Sequence, residues 1–321
     1  MELTYQSLRD LAQQLPAFDV EKAEMQAWIT RPDVQRYLNH YHINFTEEFT
    51  SLDYRFGSQS AGEFDIAFHH WQPQNAKGTV FLVHGYTDNV GTMQHALRFL
   101  LQSDWAVVCF DLPGHGFSSG DQGSIHSFDQ YREVLFDALN LFTDKTPQPW
   151  HGMGQSTGAM VILNYLGSYP DQDKLEKAAL LAPLIRTHHW SRDRWLFYLI
   201  NPILKNLVRV FSPSSHDETF LDFVRHHDPL QQLHTPVVWV KAMRHWIKKF
   251  AEFNTQWRKL TVIQGDKDKT VDWMYNTSEI ERIFPNTETY MVNGARHQLV
   301  NESVKYRQQV FQLLSKWLAD K

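Results

Sequence analysis

The sequence predicts an α/β fold: a mostly parallel central sheet with helices on both faces and an inserted, mainly helical cap. Three observations point there. Short apolar runs alternate with helical stretches from Gly78 onward, and parallel strands need crossover connections that helices supply. The alternation stops at Leu184 and resumes at KLTVIQGDKD, which marks the interval as an insertion. A chain of 321 residues, 42% hydrophobic and 21% charged, is also long enough to bury one large core and still carry such an insertion.

The elements follow in order. MELTYQSLRDLAQQLP opens a polar lead-in over 1–44 that reads as helical, with no positive region followed by an apolar run. FTEEFTSLDYRF and GEFDIAFHHW read as an antiparallel pair of strands, with the turn-rich GSQSAG between them. Strand–helix units come next: GTVFLVHG with VGTMQHALRFLLQ, WAVVCFDLPG with FDQYREVLFDALNLF, PWHGMGQSTG with AMVILNYLGSY, then KAALLAPL. PWHGMG is less apolar than a buried central strand is expected to be. After the insertion, KLTVIQ and TETYMVN read as strands and 306–318 as a closing helix. The organisation expected is therefore a lead-in at 1–44, a core at 45–185 and 259–321, and a cap at 186–258. The cap contains helical-looking stretches such as WLFYLINPILKNLVRVF, is rich in aromatics including Trp190, Trp239 and Trp246, and carries 11 Lys and Arg against 6 Asp and Glu.

Several function classes fall away. A net charge of -5 gives no basic field for nucleic acid, and no nucleic-acid-binding motif is present. The single cysteine, Cys109 in WAVVCF, has the setting of a buried strand residue and no partner for an intramolecular disulfide, which suits a reducing, cytoplasmic compartment. No apolar run of about 18 residues, the length that spans a membrane as a helix, occurs in the chain. The D-x-D-x-T start at Asp266 has Val271 where a calcium loop needs glycine and Thr277 where it needs glutamate. The doublets His69-His70, His188-His189 and His226-His227 lack zinc-ligand spacing. No metal and no cofactor is expected.

Chemistry concentrates in the glycine loops. GMGQSTG is not a dinucleotide fingerprint, because its third glycine, Gly158, is displaced by one position, and no Lys-Ser or Lys-Thr completes a phosphate loop. Two stretches fit G-x-S-x-G, the spacing of a serine on a sharp strand-to-helix turn: GFSSG around Ser118 and GQSTG around Ser156. Ser156 precedes a helical pattern with Met160, Leu163 and Leu166 on one face, whereas Ser118 lies in DLPGHGFSSGDQGS with no helix to receive the chain. Ser156 is the candidate nucleophile. A serine hydroxyl needs an imidazole to take its proton and a carboxylate to orient that imidazole. His297 follows the strand TETYMVN. Asp266, Asp268 and Asp272 follow KLTVIQ, and Asp268 is favoured because it stands just beyond the tight turn at Gly265. Backbone N–H groups of Tyr86 and Thr157 are the candidate oxyanion donors.

Taken in order, HGY, DLPGHGFSSG, GQSTG, GDKDKTVD and GARHQLVNE resemble the α/β-hydrolase superfamily, and within it the lysophospholipase and monoacylglycerol-lipase branch with its serine aminopeptidase-like members. The resemblance runs from about Phe45 to the carboxyl end and is weakest in the cap. It implies a triad of Ser156, Asp268 and His297, with an oxyanion hole at Tyr86 and Thr157 and no cofactor. It prefers Asp268 to Asp266, because the family acid stands three residues after its glycine, and it gives His115 a structural place in the G-H-G turn. Three features depart from the branch: Gln155 replaces a histidine, Gly158-Ala159 replaces Gly-Gly, and the stretch after HGY lacks the usual glutamate. The expectation is a serine hydrolase of lipid-like carboxylic monoesters, whose basic, aromatic cap covers an acyl chain and touches anionic membrane surfaces. An aminopeptidase, a small-ester esterase and a non-catalytic binding protein on the same scaffold are the alternatives.

Overall fold

The computed structural model describes residues 3–190, 192, 204–209 and 211–320. Eight strands form one sheet in the order β1-β2-β4-β3-β5-β6-β9-β10. They are β1 (Leu52–Ala61), β2 (Phe64–Pro73), β3 (Thr79–Val83), β4 (Ala106–Phe110), β5 (Trp150–Gln155), β6 (Lys177–Leu181), β9 (Thr261–Gly265) and β10 (Glu288–Val292). β2 pairs antiparallel with both β1 and β4, and every other pairing is parallel. β3 and β4 read TVFLV and AVVCF and are buried along their whole length, as strands covered on both faces should be.

Helices cover both faces. On one side lie α5 (Phe128–Leu141) and α6 (Thr157–Ser168); on the other lie α4 (Gln94–Gln102) and the closing helix Val304–Ala319. Ser127 caps α5 by accepting from the amide of Asp129, while the Gln130 side chain accepts from the amide of Ser127, so the first-turn donors find partners. The lead-in contributes α1 (Tyr5–Ala12), α2 (Lys22–Ile29) and α3 (Pro32–His40). Leu8, Met25, Trp28 and Tyr37 from these helices join the core on the α4 face, and the Tyr37 ring stacks on Phe56 of β1 at 5.7 Å.

The first strand differs from expectation. Phe45–Glu47 is a short 3-10 turn, and β1 runs through the GSQSA that the composition marks as a turn. Gly57 explains the difference: a Cβ there would stand 2.8 Å from the Pro16 carbonyl oxygen. The lead-in lies directly against this part of β1, with Phe18 N–H bonded to the Ser58 carbonyl and Ser58 N–H to that of Pro16. Glycine is here because another backbone passes close by, which composition alone does not distinguish from a turn.

β5 also has a physical account. All six of its residues are buried despite their low apolar content. A Cβ on Gly154 would meet the Gly158 carbonyl carbon at 2.4 Å, so the strand gives up side chains to let α6 pack against its backbone.

Within 186–258 the described residues include Glu218–Asp222 as α7 and Val237–Ala251 as α8. They also include a two-stranded antiparallel ribbon, β7 (Asn206–Val208) with β8 (His234–Pro236). The cap is therefore not uniformly helical: most of 195–211 lies outside the described residues, but its 206–208 portion is strand, held at both ends by Val237 N–H to Lys205 O and Arg209 N–H to Leu233 O. α8 sits on the core through Trp239, Met243, Trp246 and Phe250, and the Trp246 indole N–H donates to the Leu184 carbonyl. No helix among the described residues is long and apolar enough to cross a membrane.

Candidate active site

The loops that leave the carboxyl ends of β3, β5, β9 and β10 carry Tyr86, Ser156, Asp268 and His297. Those strand ends are where an open parallel sheet leaves room for a ligand. Ser156 sits at the junction of β5 and α6 with φ 55 and ψ -110, a sparsely populated conformation for a residue with a Cβ. The surrounding backbone fixes it there: Ser156 N–H donates to Leu181 O at 2.8 Å, and its own carbonyl accepts from Met160 and Leu184. Gly158 permits the sharp turn, since a Cβ at that position would lie 2.0 Å from the Val83 carbonyl oxygen.

The candidate partners converge on this serine. His297 Nε2 lies 2.9 Å from Ser156 Oγ, and His297 Nδ1 lies 2.7 Å from Asp268 Oδ2. The other carboxylate oxygen of Asp268 accepts from the amides of Thr270 and Val271 at 2.7 and 3.1 Å. Burial raises the pKa of Asp268, but the charge and hydrogen bond of His297 and these two amides outweigh it, so the carboxyl is held below its ordinary value. For His297, burial works against the charged ring, and the Asp268 carboxylate reverses this to leave the pKa above the ordinary histidine value.

The competing candidates have other partners. Asp266 accepts from the Gly294 amide, and Asp272 caps the helix Trp273–Ile283 and pairs with Arg186 at 2.7 Å. Ser118 is buried away from both: its Oγ donates to Asp111 O and accepts from Ala67 N–H. His115 bonds to the Pro113 carbonyl and to Thr87 N–H, which fixes the loop after β3. Among the described residues, no group of three or more His, Cys, Asp or Glu is arranged to hold a metal ion.

Tyr86 and Thr157 line the cavity into which Ser156 opens, and Thr157 is the first residue of α6, whose leading amides have no acceptor within the helix. The Tyr86 side chain is occupied elsewhere, its hydroxyl donating to Gly123 O and its ring stacked on Trp239 at 4.1 Å. The cavity measures about 590 Å³ and has a largely apolar wall that includes Leu184, Trp190, Leu207, Trp239, Met243 and Val271. Ser156 itself is only 7% exposed, so a substrate reaches it through this cavity.

The sequence carries no signal for the roles of Gln155, Gln298 and Asp88. Gln155, the residue that departs from the resembling branch, donates from Nε2 to the His297 carbonyl at 2.9 Å and so ties the histidine loop to the elbow. Gln298, next to His297, donates to both oxygens of Asp88, a buried carboxylate on the cavity wall. The departure at Gln155 was visible; its partner, 142 residues away, was not.

The sheet order and the hydrogen-bonded serine, histidine and aspartate at its carboxyl edge define a serine hydrolase of the esterase type on the α/β-hydrolase fold. The chain belongs to the serine aminopeptidase S33 family, whose sequence profile matches residues 74–304. It is similar to a "probable lysophospholipase L2" of Haemophilus influenzae, 22% identical over 281 residues that cover 79% of this chain and 88% of the relative. Among solved structures it resembles a soluble variant of monoglyceride lipase from Saccharomyces cerevisiae in complex with a substrate analog. That likeness has a TM-score of 0.71 at 17% identity and covers 84% of this chain and 96% of the other. A monoacylglycerol lipase from Paleococcus ferrophilus aligns with a TM-score of 0.64 at 18% identity, covering 80% of this chain and 98% of the other. At these identities the structural likenesses show the fold.

Proposed function

We propose that the protein hydrolyses lipid-like carboxylic monoesters through an acyl-enzyme, with Ser156 as nucleophile, His297 as general base and Asp268 as the group that orients it. The observation that carries this is the chain from Ser156 Oγ to His297 Nε2 at 2.9 Å and from His297 Nδ1 to Asp268 at 2.7 Å, opening into an apolar cavity of about 590 Å³. Ser156 Oγ attacks the ester carbonyl as its proton passes to His297, and the amides of Tyr86 and Thr157 face the developing oxyanion. His297 then gives the proton to the departing alcohol. Water, activated by the same imidazole, releases the acid. Lipid-like substrates are supported by the apolar wall and by the names of the relatives, a lysophospholipase and two monoacylglycerol lipases. We place this activity in the cytoplasm, with the basic cap resting on anionic membrane surfaces.

The test is hydrolysis of p-nitrophenyl esters from acetate to palmitate, with Ser156→Ala beside the wild type. A serine-dependent rate that rises with acyl length is expected. A maximum on acetate would overturn the lipid assignment, and turnover by Ser156→Ala would overturn the nucleophile. The family's name gives a second reading, release of an amino-terminal residue, and the buried Asp88 on the cavity wall is the group that would hold an α-ammonium. Cleavage of aminoacyl arylamides without cleavage of esters would favour it.

A further inference from the structure

The lead-in over 1–44 meets the cap at a buried joint. Tyr41, which follows α3, is 1% exposed, and its hydroxyl donates to Asp228 Oδ1 at 2.5 Å. Asp228 belongs to the cap stretch between α7 and the ribbon and is buried. The same carboxylate oxygen accepts from the Leu230 amide at 2.9 Å, and the other oxygen accepts from Asn89 Nδ2 at 3.3 Å. Asn89 stands in the loop after β3 that also carries Tyr86. Lead-in, cap and oxyanion loop are thus tied through one carboxylate. The surrounding contact is close: the Tyr41 ring packs on Phe223 at 5.7 Å, His40 Nε2 lies 3.0 Å from the His227 carbonyl oxygen, and a Cβ on Gly91 would come 2.3 Å from the Tyr41 ring.

What Asp228 holds is a wall of the cavity that contains Ser156. From Asp228 the chain runs through Gln231 and Gln232 into β8 and then α8. Gln231 Oε1 and the Gln232 carbonyl both accept from Arg209 Nη1, which fixes the end of β7. Leu207 and Val208 of the ribbon, Thr235 of β8, and Trp239 and Met243 of α8 line the cavity. At its far end this wall is anchored by the packing of α8 on the core. At its near end the anchors are Asp228, the buried Leu230 and a longer bond from Gln232 Nε2 to the Gly114 carbonyl at 3.3 Å. Asp228 also borders an open groove of about 760 Å³. A buried carboxylate that loses a charge-assisted bond turns toward water, and the groove gives it that way out.

We propose that Tyr41 and Asp228 are positioning residues for the ester chemistry above, on which this inference rests: through them the lead-in holds the cap wall against the acyl chain and so sets the preference for longer esters. Neither residue lines the cavity that contains Ser156, so each acts through the wall. Each methylene packed on an apolar wall is worth about fourfold in binding, and a wall that draws back from two of them forfeits about fifteenfold. An acetyl group, seated beside Ser156 and the amides of Tyr86 and Thr157, touches little of that wall. The loop after β3 keeps its own ties when the joint opens, since Asn89 caps Val90–Met93 and Gln298 still holds Asp88. The chemical step on a short ester is therefore retained.

The test measures kcat/KM for p-nitrophenyl decanoate and p-nitrophenyl acetate in the wild type, Tyr41→Phe, Asp228→Ala and the double variant, under conditions where urea denaturation shows each to be folded. Tyr41→Phe keeps the ring and its packing. It should lose at least about tenfold on decanoate, mostly through KM, and less than about twofold on acetate. The double variant should be no worse than Asp228→Ala, because the hydroxyl acts through that carboxylate. Equal losses on both esters, an unchanged decanoate rate, or additive losses in the double variant would overturn the proposal. Amide hydrogen exchange reads the joint without turnover: residues 228–236 should exchange at least about tenfold faster in Tyr41→Phe than in the wild type, with β3 unchanged. Unchanged exchange over 228–236 would equally overturn it. If the wild type cleaves neither ester the ester reading fails, and the exchange measurement still decides the joint.

Discussion

Ser118→Ala separates structure from chemistry. β2 and β4 are antiparallel, and the pair beyond Phe68 and Phe110 is Ala67 with Asp111. One of the two bonds this pair should exchange is direct, from Asp111 N–H to Ala67 O at 3.1 Å. The other is bridged by Ser118: its Oγ accepts from Ala67 N–H at 3.0 Å and donates to Asp111 O at 2.6 Å. The hydroxyl spans the gap where the strands begin to separate. Alanine would leave a buried N–H and a buried carbonyl without partners, each costing about 1–3 kcal/mol, so a loss of about 2–6 kcal/mol is expected, with a water in the vacated space giving the lower figure. Ser156→Ala removes a hydroxyl whose hydrogen bond is to His297, and should cost less than about 1 kcal/mol. Urea denaturation midpoints together with p-nitrophenyl butyrate turnover, measured where every variant is folded, check both. The reasoning fails if Ser118→Ala unfolds like wild type or if the folded variant has lost its turnover.

Three further outcomes follow from the same geometry. Asp268→Asn should keep the fold and reduce kcat by about 10³–10⁴, because the imidazole loses both its orienting acceptor and the charge that stabilises its protonated form; stopped-flow or steady-state ester hydrolysis measures it. His297 must be neutral to accept the serine proton, and its pKa is raised, so kcat/KM should fall as pH drops through a value above 6.5, and the acid limb of Asp268→Asn should lie at lower pH. Gly158→Ala should destabilise the protein by about 3 kcal/mol or more, since the new Cβ would meet the Val83 carbonyl oxygen at 2.0 Å and neither backbone can move away; the urea midpoint reports it.

What the sequence revealed depended on how local the cause was. The elbow at Ser156 was legible because strand, glycines and helix adjoin one another, and the helix after Ser156 distinguished it from the loop around Ser118. Asp268 and His297 were legible because each follows a strand in an ordered set of motifs. The weak apolar signal of β5 has its reason in the approach of α6 at Gly154, and the strand character of Gly57–Ala61 in the passage of Pro16–Phe18 beside it. Both causes are backbone-to-backbone contacts that leave only a glycine as a trace. The cap ribbon was misread because Asn206–Val208 is three residues long and finds its partner nearly thirty residues later. The ties from Gln155 to the His297 carbonyl and from Gln298 to Asp88 join separate loops, so no spacing announces them.

The central claim is that Ser156 is the nucleophile. Incubation with a fluorophosphonate, followed by peptide mass mapping, tests it most directly. One phosphonyl adduct on Ser156 is predicted, abolished in Ser156→Ala and slowed when His297 is replaced. An adduct on Ser118, or no adduct in a folded protein that still hydrolyses esters, would contradict it.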